Sequence, residues 1–151
     1  FAPHGVPTIP RRRATPREAR ALLRLTEAPT VVTSGLLSPR HGVHVMIDAM
    51  AAVVRSHPAA RYIVAGAAHP RDPAAAEYVE ALRAQVALLG LQGNVEVLGR
   101  YLEDNELVDY VLAADVYVTP YLDKQQYVSG GLALALGCGR PVVSTPYAHG
   151  A

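Results

Sequence analysis

Ser129-Gly130-Gly131 is the stretch of this sequence best suited to chemistry. Before it lies Asp115-Val116-Tyr117-Val118-Thr119-Pro120, a buried-strand pattern that stops at a proline, and then a polar loop ending in Gln125-Gln126-Tyr127-Val128. After it come an Ala/Leu helix, Gly137-Cys138-Gly139 and a second buried-strand pattern, Pro141-Val142-Val143-Ser144-Thr145-Pro146. Strand, glycine-rich turn, helix start and parallel strand together build an anion cradle. The first-turn N–H groups of the helix have no partner within it, and its dipole favours negative charge. Ser129 supplies the cap, and the paired glycines Gly130 and Gly131 leave those N–H groups uncovered. An ordinary capped helix would carry the same residues. The long loop and the glycine pair favour a ligand, a nucleotide or another phosphorylated molecule.

Two further turns could take part. Ser34-Gly35-Leu36-Leu37-Ser38-Pro39-Arg40-His41-Gly42 joins a strand to a helix. Gly35 and Gly42 let the backbone approach a ligand, and Arg40 and His41 put cationic or hydrogen-bonding groups beside a helix N-terminus. The glycine fingerprint of dinucleotide-binding enzymes and the Gly-Lys-Ser/Thr ending of a P-loop are both absent from this turn. A plain loop with a surface Arg and His remains the other reading. Gly99-Arg100-Tyr101-Leu102 follows a third strand, where Arg100 or Tyr101 could stack on a nucleobase; the residues alone favour a loop that merely starts a helix. His41 and His44 share a helix face by spacing, but two histidines without a third ligand make a weak metal case. Of the scattered histidines His4, His44, His57, His69 and His149, most are expected at the surface.

The elements that must position these residues alternate. Thr15-Pro16-Arg17-Glu18 is a capping box that opens a helix to about Leu25. Val31–Leu37 reads as a strand. A helix from about Gly42 to Ser56 follows, with Val43, Met46, Ile47, Met50, Val53 and Val54 at helical spacing. Tyr62–Gly66 is a strand. Asp72-Pro73 caps a helix to about Leu89 that turns Ala75, Tyr78, Val79, Leu82, Val86 and Leu89 inward, and Gly90 ends it. Val95–Gly99 is a strand and Asp104–Ala113 a helix. Strands apolar on both faces and alternating with helices predict an α/β fold: a Rossmann-like, doubly wound parallel sheet with helices on both faces. Ligands of such sheets bind beyond the carboxyl ends of the strands, where all three turns lie.

Half of the 151 residues are apolar, enough for one domain with a real core. Residues 1–14, with Arg11-Arg12-Arg13 between prolines, read as a linker, and residues 15–151 as the domain. A net charge of +1 gives no global attraction to nucleic acid. Cys138 is the only cysteine, which excludes an internal disulfide and points to a packed thiol in a reducing, cytoplasmic setting. No metal-ligand spacing, cofactor motif, membrane-spanning run or signal peptide is read from the sequence.

The run from about Val31 to Tyr147 resembles the C-terminal, donor-binding domain of retaining GT-B-fold glycosyltransferases, the glycosyl transferases group 1. His4-Gly5-Val6-Pro7 looks like that family's linker. Gly35–Gly42 is similar to its Gly-Arg-Leu…Lys-Gly turn, Ala114–Pro120 to its Ala-Asp-x-x-x-x-Pro strand, and Gly139-Arg140-Pro141-Val142-Val143 to its Gly-Lys/Arg-Pro-Val-Val segment. The resemblance implies a nucleotide-diphosphate sugar donor, metal-independent transfer with retention, no cofactor, and an acceptor bound by a separate N-terminal domain. This stretch by itself is then expected to be inactive in transfer, and the chain is expected to be a piece of a longer protein. Four positions depart from the family pattern. Leu36 and His41 stand where it has a diphosphate-binding Arg and Lys. Gln126 and Leu134 stand where it has paired glutamates. Leu134 cannot bond a ribose hydroxyl, a loss of roughly 1–3 kcal/mol if that group stays buried.

Three functions follow as alternatives. In the first, the chain is the donor-binding half of a glycosyltransferase: diphosphate on Ser129, Gly130 and Gly131 with Gly35, Arg40 and His41 nearby, base near Arg100 and Tyr101, sugar against Gln126. No catalytic residue is assigned. In the second, it is a non-catalytic domain of the same fold that binds protein or carbohydrate. In the third, it is another Rossmann-like enzyme such as a sugar-nucleotide epimerase. Peripheral contact of the full-length protein with the inner face of a membrane is left open. Apolar surface near Tyr147 and the Ala/Leu helix is expected to be uncovered, which would favour dimerisation.

Overall fold

A computed structural model of the protein describes residues 15–125 and 129–148. The linker assigned to residues 1–14, His4, Gln126 and His149 lie outside the described residues. The described strands are β1 (Thr30–Leu37), β2 (Arg61–Ala68), β3 (Val95–Val97), β4 (Val116–Thr119) and β5 (Val142–Ser144). They form a parallel sheet in the order β3-β2-β1-β4-β5. The helices between them are α1 (Pro16–Leu22), α2 (Val43–Ser56), α3 (Pro73–Leu88), α4 (Asp104–Ala113) and α5 (Gly130–Gly137).

Period-two alternation in the strands feeds two cores. On β2, Tyr62 and Val64 pack under α2 and α3 with Ile47, Met50, Val79 and Leu82. Ile63 and Ala65 face the other way, into a core with Ala19 of α1, Val111 of α4 and Leu134 and Ala135 of α5. Helices therefore cover both faces, as the alternating pattern predicts.

Local chemistry sets the helix ends. Thr15 and Glu18 close the predicted capping box, with Thr15 N–H donating to the Glu18 carboxylate at 2.7 Å. Asp72 caps α3 by accepting from Ala74 and Ala75 N–H. Gly90 and Gly139, both at positive φ, terminate α3 and α5 with paired turn hydrogen bonds to the last helical carbonyls. The same motif ends α1 earlier than expected. Arg24 adopts the left-handed conformation, and Leu25 N–H returns to Arg20 O at 2.9 Å, so the helix stops at Leu22 rather than Leu25.

Three other expectations are corrected. Leu89 is 38% exposed and Tyr78 half-buried, because α3 ends at Leu88 and leaves Leu89 as its C-cap, while the Tyr78 hydroxyl turns to His44 Nδ1 at 2.8 Å. β5 is not buried. It is an edge strand with Val143 59% exposed, since among the described residues it pairs only with β4. Tyr147, expected in uncovered surface, is 2% exposed, with its hydroxyl donating to Thr119 Oγ1 at 3.0 Å. Leu136 of the Ala/Leu helix is exposed as expected.

Asp115, in the Ala-Asp pair before β4, is a clasp at the opposite end of the sheet from the turns named above. Its Oδ2 accepts from Arg20 Nη2 at 2.6 Å and from Thr30 N–H at 2.7 Å. Arg20 also donates to the carbonyls of Thr26 and Ala28. Arg20→Ala would strip donors from three acceptors at a buried position, and is expected to destabilise the fold by about 2 kcal/mol in chemical denaturation. A loss below about 0.5 kcal/mol would show that water replaces the guanidinium freely.

Candidate functional site

The strand order places a switch point between β1 and β4. The chain steps outward from β1 to β3, then returns to the other side of β1. The loop after β1 leads to α2 on one face, and the loop after β4 leads to α5 on the other, which opens a crevice at their carboxyl ends. Two contacts lock the loops together. Leu122 N–H donates to Arg40 O at 2.8 Å. Gly42, at φ 66°, lies so close to Pro120 that a Cβ there would collide with the Pro120 carbonyl oxygen. The sequence reading reserved the Gly42 approach for a ligand; its partner is the chain itself.

One wall of the crevice is the start of α5. Ser129 is buried and its Oγ accepts from Leu132 N–H at 3.1 Å, the expected cap. The N–H groups of Gly130 and Gly131 have no acceptor among the described residues. A Cβ on Gly131 would collide with the Tyr117 hydroxyl, which bonds Ser34 Oγ at 2.8 Å on β1. The opposite wall is a 3-10 turn, Pro39–His41. His41 sits in this turn, before the helix, so it does not share a face of α2 with His44 as its spacing suggested. Its Nδ1 lies 2.6 Å from Leu36 O, and since a carbonyl only accepts, Nδ1 carries the proton. Nε2 has no partner among the described residues. The His41 and Tyr121 rings are 4.9 Å apart, Tyr121 and Tyr147 5.0 Å, and the Tyr121 hydroxyl lies 3.3 Å from Ser129 Oγ. Arg40 is exposed, with no ion pair among the described residues.

Burial holds the His41 pKa below its usual 6.5, and the neighbouring Arg40 pushes the same way, against the Leu36 carbonyl and Asp123. The imidazole is therefore neutral at pH 7. The unfolded chain binds this proton at higher pH than the folded one. The stability His41 contributes is complete above about pH 6.5 and is lost as pH falls through the folded value.

Next to the crevice is a cleft of about 130 Å³, lined by Gly35, Leu36, Ala65–Ala67, Arg100–Leu102 and Leu107. Its floor is tight. Gly35 is at φ 122°, and a Cβ on Gly66 would collide with the Gly35 carbonyl oxygen. Leu36 and Tyr101, 49% and 70% exposed, contribute apolar surface to its lining. The Arg100 guanidinium is engaged by Glu106 of α4 through both carboxylate oxygens, which depresses the Glu106 pKa. Arg100 thus borders the cleft as half of an ion pair rather than as a free cation.

The structure therefore gathers Arg40, His41, Ser129, Gly130 and Gly131 at the crevice, and Gly35, Arg100 and Tyr101 at the cleft. Gln126 lies outside the described residues. The sequence reading missed the parts played by Gly66, Tyr117 and Tyr121. A glycine near a strand end was a signal for Gly66. Nothing local marks Tyr117, whose partner glycine is on another element. Among the described residues, no group of three or more His, Cys, Asp or Glu gathers as a metal site, and no helix is long and apolar enough to cross a membrane.

Residues 28–151 match the profile of a protein family described as glycosyl transferases group 1. The chain belongs to this family. Solved structures agree on the fold. The C-terminal domain of a glycosyl transferase group 1 family protein (LpcC) from Francisella tularensis superposes with a TM-score of 0.74 at 19% identity, over 90% of this chain and 67% of that one. Alr3699/HepE from Anabaena, solved in complex with UDP and glucose, has a TM-score of 0.74 at 25% identity, over 89% of this chain and 34% of that one. WaaG, a glycosyltransferase involved in lipopolysaccharide biosynthesis, has a TM-score of 0.72 at 23% identity, over 97% of this chain and 38% of that one. The chain thus spans two thirds of the first and about a third of the others. No curated protein sequence matches it.

As a glycosyl transferases group 1 domain, the chain keeps the family's framework segments in structural roles. Asp115 is the clasp described above, and Arg140 ties the end of α5 to the end of α4 through Ala114 O at 3.4 Å. Leu134, where the resemblance places a glutamate, is 6% exposed in the core beneath α5.

Proposed function

We propose that this domain holds a nucleotide-diphosphate sugar donor and, with an N-terminal acceptor-binding domain of the same protein, transfers the sugar with retention and without metal. The base lies in the cleft between Leu36 and Tyr101. The diphosphate lies across the α5 start, taking the Gly130 and Gly131 N–H groups, Arg40 and His41 Nε2. Gln126 is the candidate contact for the sugar. The observation that carries this reading is the switch point, where the turn carrying Arg40 and His41 is bridged by Tyr121 to a capped helix start, and where, among the described residues, Arg40 has no ion pair and the Gly130 and Gly131 N–H groups have no acceptor. HepE, of the same fold, was solved with UDP and glucose, which supports the ligand class.

Calorimetric titration with UDP, GDP and ADP tests it. One diphosphate is expected to bind, and Arg40→Ala to weaken it about tenfold, the effect of one charge-assisted contact. Affinity is also expected to rise as pH falls from 8 to 6, because a nearby phosphate draws a proton onto His41. A flat pH profile would remove His41 from the site. Absence of binding by folded protein would sink the reading.

One observation favours a second reading. Leu36 and Leu134 replace polar family positions, and Leu134 is committed to the core. A domain that had lost its donor would bind a protein or carbohydrate partner instead. It would show no nucleotide-dependent thermal shift.

A further inference from the structure

We propose that Tyr121 is a positioning residue that holds His41 and the start of α5 in one arrangement for the two phosphates of a nucleoside diphosphate. This rests on the donor-site reading above. Tyr121 bridges the two sides of the crevice: its ring packs on His41 of the β1–α2 turn at 4.9 Å, and its hydroxyl meets Ser129 Oγ at the α5 cap at 3.3 Å. It is itself fixed from behind. The Tyr147 ring packs against it at 5.0 Å, and Thr145 Oγ1 donates to its carbonyl oxygen at 2.6 Å.

The consequences are chemical as well as mechanical. Nδ1 of His41 lies 2.6 Å from Leu36 O and 3.2 Å from Ser38 Oγ, and the Tyr121 ring packs against the imidazole, so contacts on two sides restrict its orientation. Nε2 is then presented in one direction. The ring also shields the imidazole from water. The charged groups acting on His41 are Arg40, which opposes its protonation, and Asp123, which favours it. Removing the ring admits water and weakens both influences. On the other side, the Tyr121 hydroxyl holds Ser129 against the helix it caps. Diphosphate binding thereby depends on Tyr121 without any contact between the phenol and the ligand.

The test compares the protein with its Tyr121→Leu and Tyr121→Phe variants. UDP, GDP and ADP are titrated beside uridine, guanosine and adenosine, from pH 6 to 8. Tyr121→Leu is expected to weaken the bound diphosphate about tenfold, to leave its nucleoside within about twofold, and to flatten the pH dependence. Tyr121→Phe keeps the ring, so its pH dependence should persist while diphosphate affinity falls about threefold. Equal loss for diphosphate and nucleoside would overturn the proposal, since that is general damage. So would unchanged affinity with an unchanged pH profile. If Tyr121→Leu fails to fold, Tyr121→Phe decides: a loss confined to the diphosphate supports positioning, and no loss overturns it. If the unaltered protein binds no diphosphate, the donor-site reading falls and this proposal with it. Binding that survives both variants defeats this proposal alone.

Discussion

Gly42→Ala is expected to lower stability by about 4 kcal/mol and the melting temperature by about 10 °C. Two costs coincide there. The backbone is at φ 66°, where an L side chain loses about 1–2 kcal/mol. The new Cβ would also overlap the Pro120 carbonyl oxygen, with the Leu122 side chain behind it. Both neighbours are backbone-anchored: Leu122 N–H is bonded to Arg40 O, and Pro120 ends a buried strand. Relief must come from parting the loops after β1 and β4, which are the two walls of the crevice. Gly42→Asn separates the causes. Asparagine tolerates the left-handed conformation but not the collision, so it should be nearly as damaging. Thermal melts by circular dichroism read both. If Asn restored most of the stability, backbone conformation rather than close approach would be the reason for glycine here.

Gly131→Ala is expected to cost about 3 kcal/mol and to abolish measurable diphosphate binding at the α5 start. Helix propensity alone would make alanine better by about 1 kcal/mol. The collision with the Tyr117 hydroxyl outweighs this, because that phenol is fully buried and held by Ser34 Oγ at 2.8 Å and Ser34 N–H at 3.2 Å. The side chain cannot swing away without emptying the core between β4 and α5. A double-mutant cycle checks the mechanism. Tyr117→Phe should itself lose about 1 kcal/mol from the Ser34 bonds. Added to Gly131→Ala, it removes the colliding oxygen and should recover part of the stability and of the binding. Strict additivity would show that the phenol is not what Gly131 makes room for.

The same residues show where sequence reading stops. Thr15, Asp72 and Gly90 act on chain within four residues of themselves, so capping and termination were legible at each. Arg24 was not, because a non-glycine residue in the left-handed conformation leaves no mark in composition. Leu89 continues an apolar period one residue past the last residue of α3. For β5, the apolar pattern suits a central or an edge strand alike; only the sheet order settles the matter.

At the site, Ser129 with its glycine pair and Arg40 with His41 were visible as local signals near strand ends. Their meeting across the switch point was not. It depends on Gly42 against Pro120, Tyr121 between His41 and Ser129, and Gly131 beneath Tyr117. Those pairs join residues on separate elements, and no periodicity encodes them.

The alternation of strands and helices, the doubly wound class, most helix ends and the strand ends that carry the candidate-site loops are readable from the residues alone. These follow from side-chain period, caps and backbone conformation, which act over a few residues. Tertiary structure alone decided which N–H groups stay open, which histidine nitrogen is available, and that Leu134 belongs to the core. Each of those depends on packing and desolvation by distant elements once the sheet has closed.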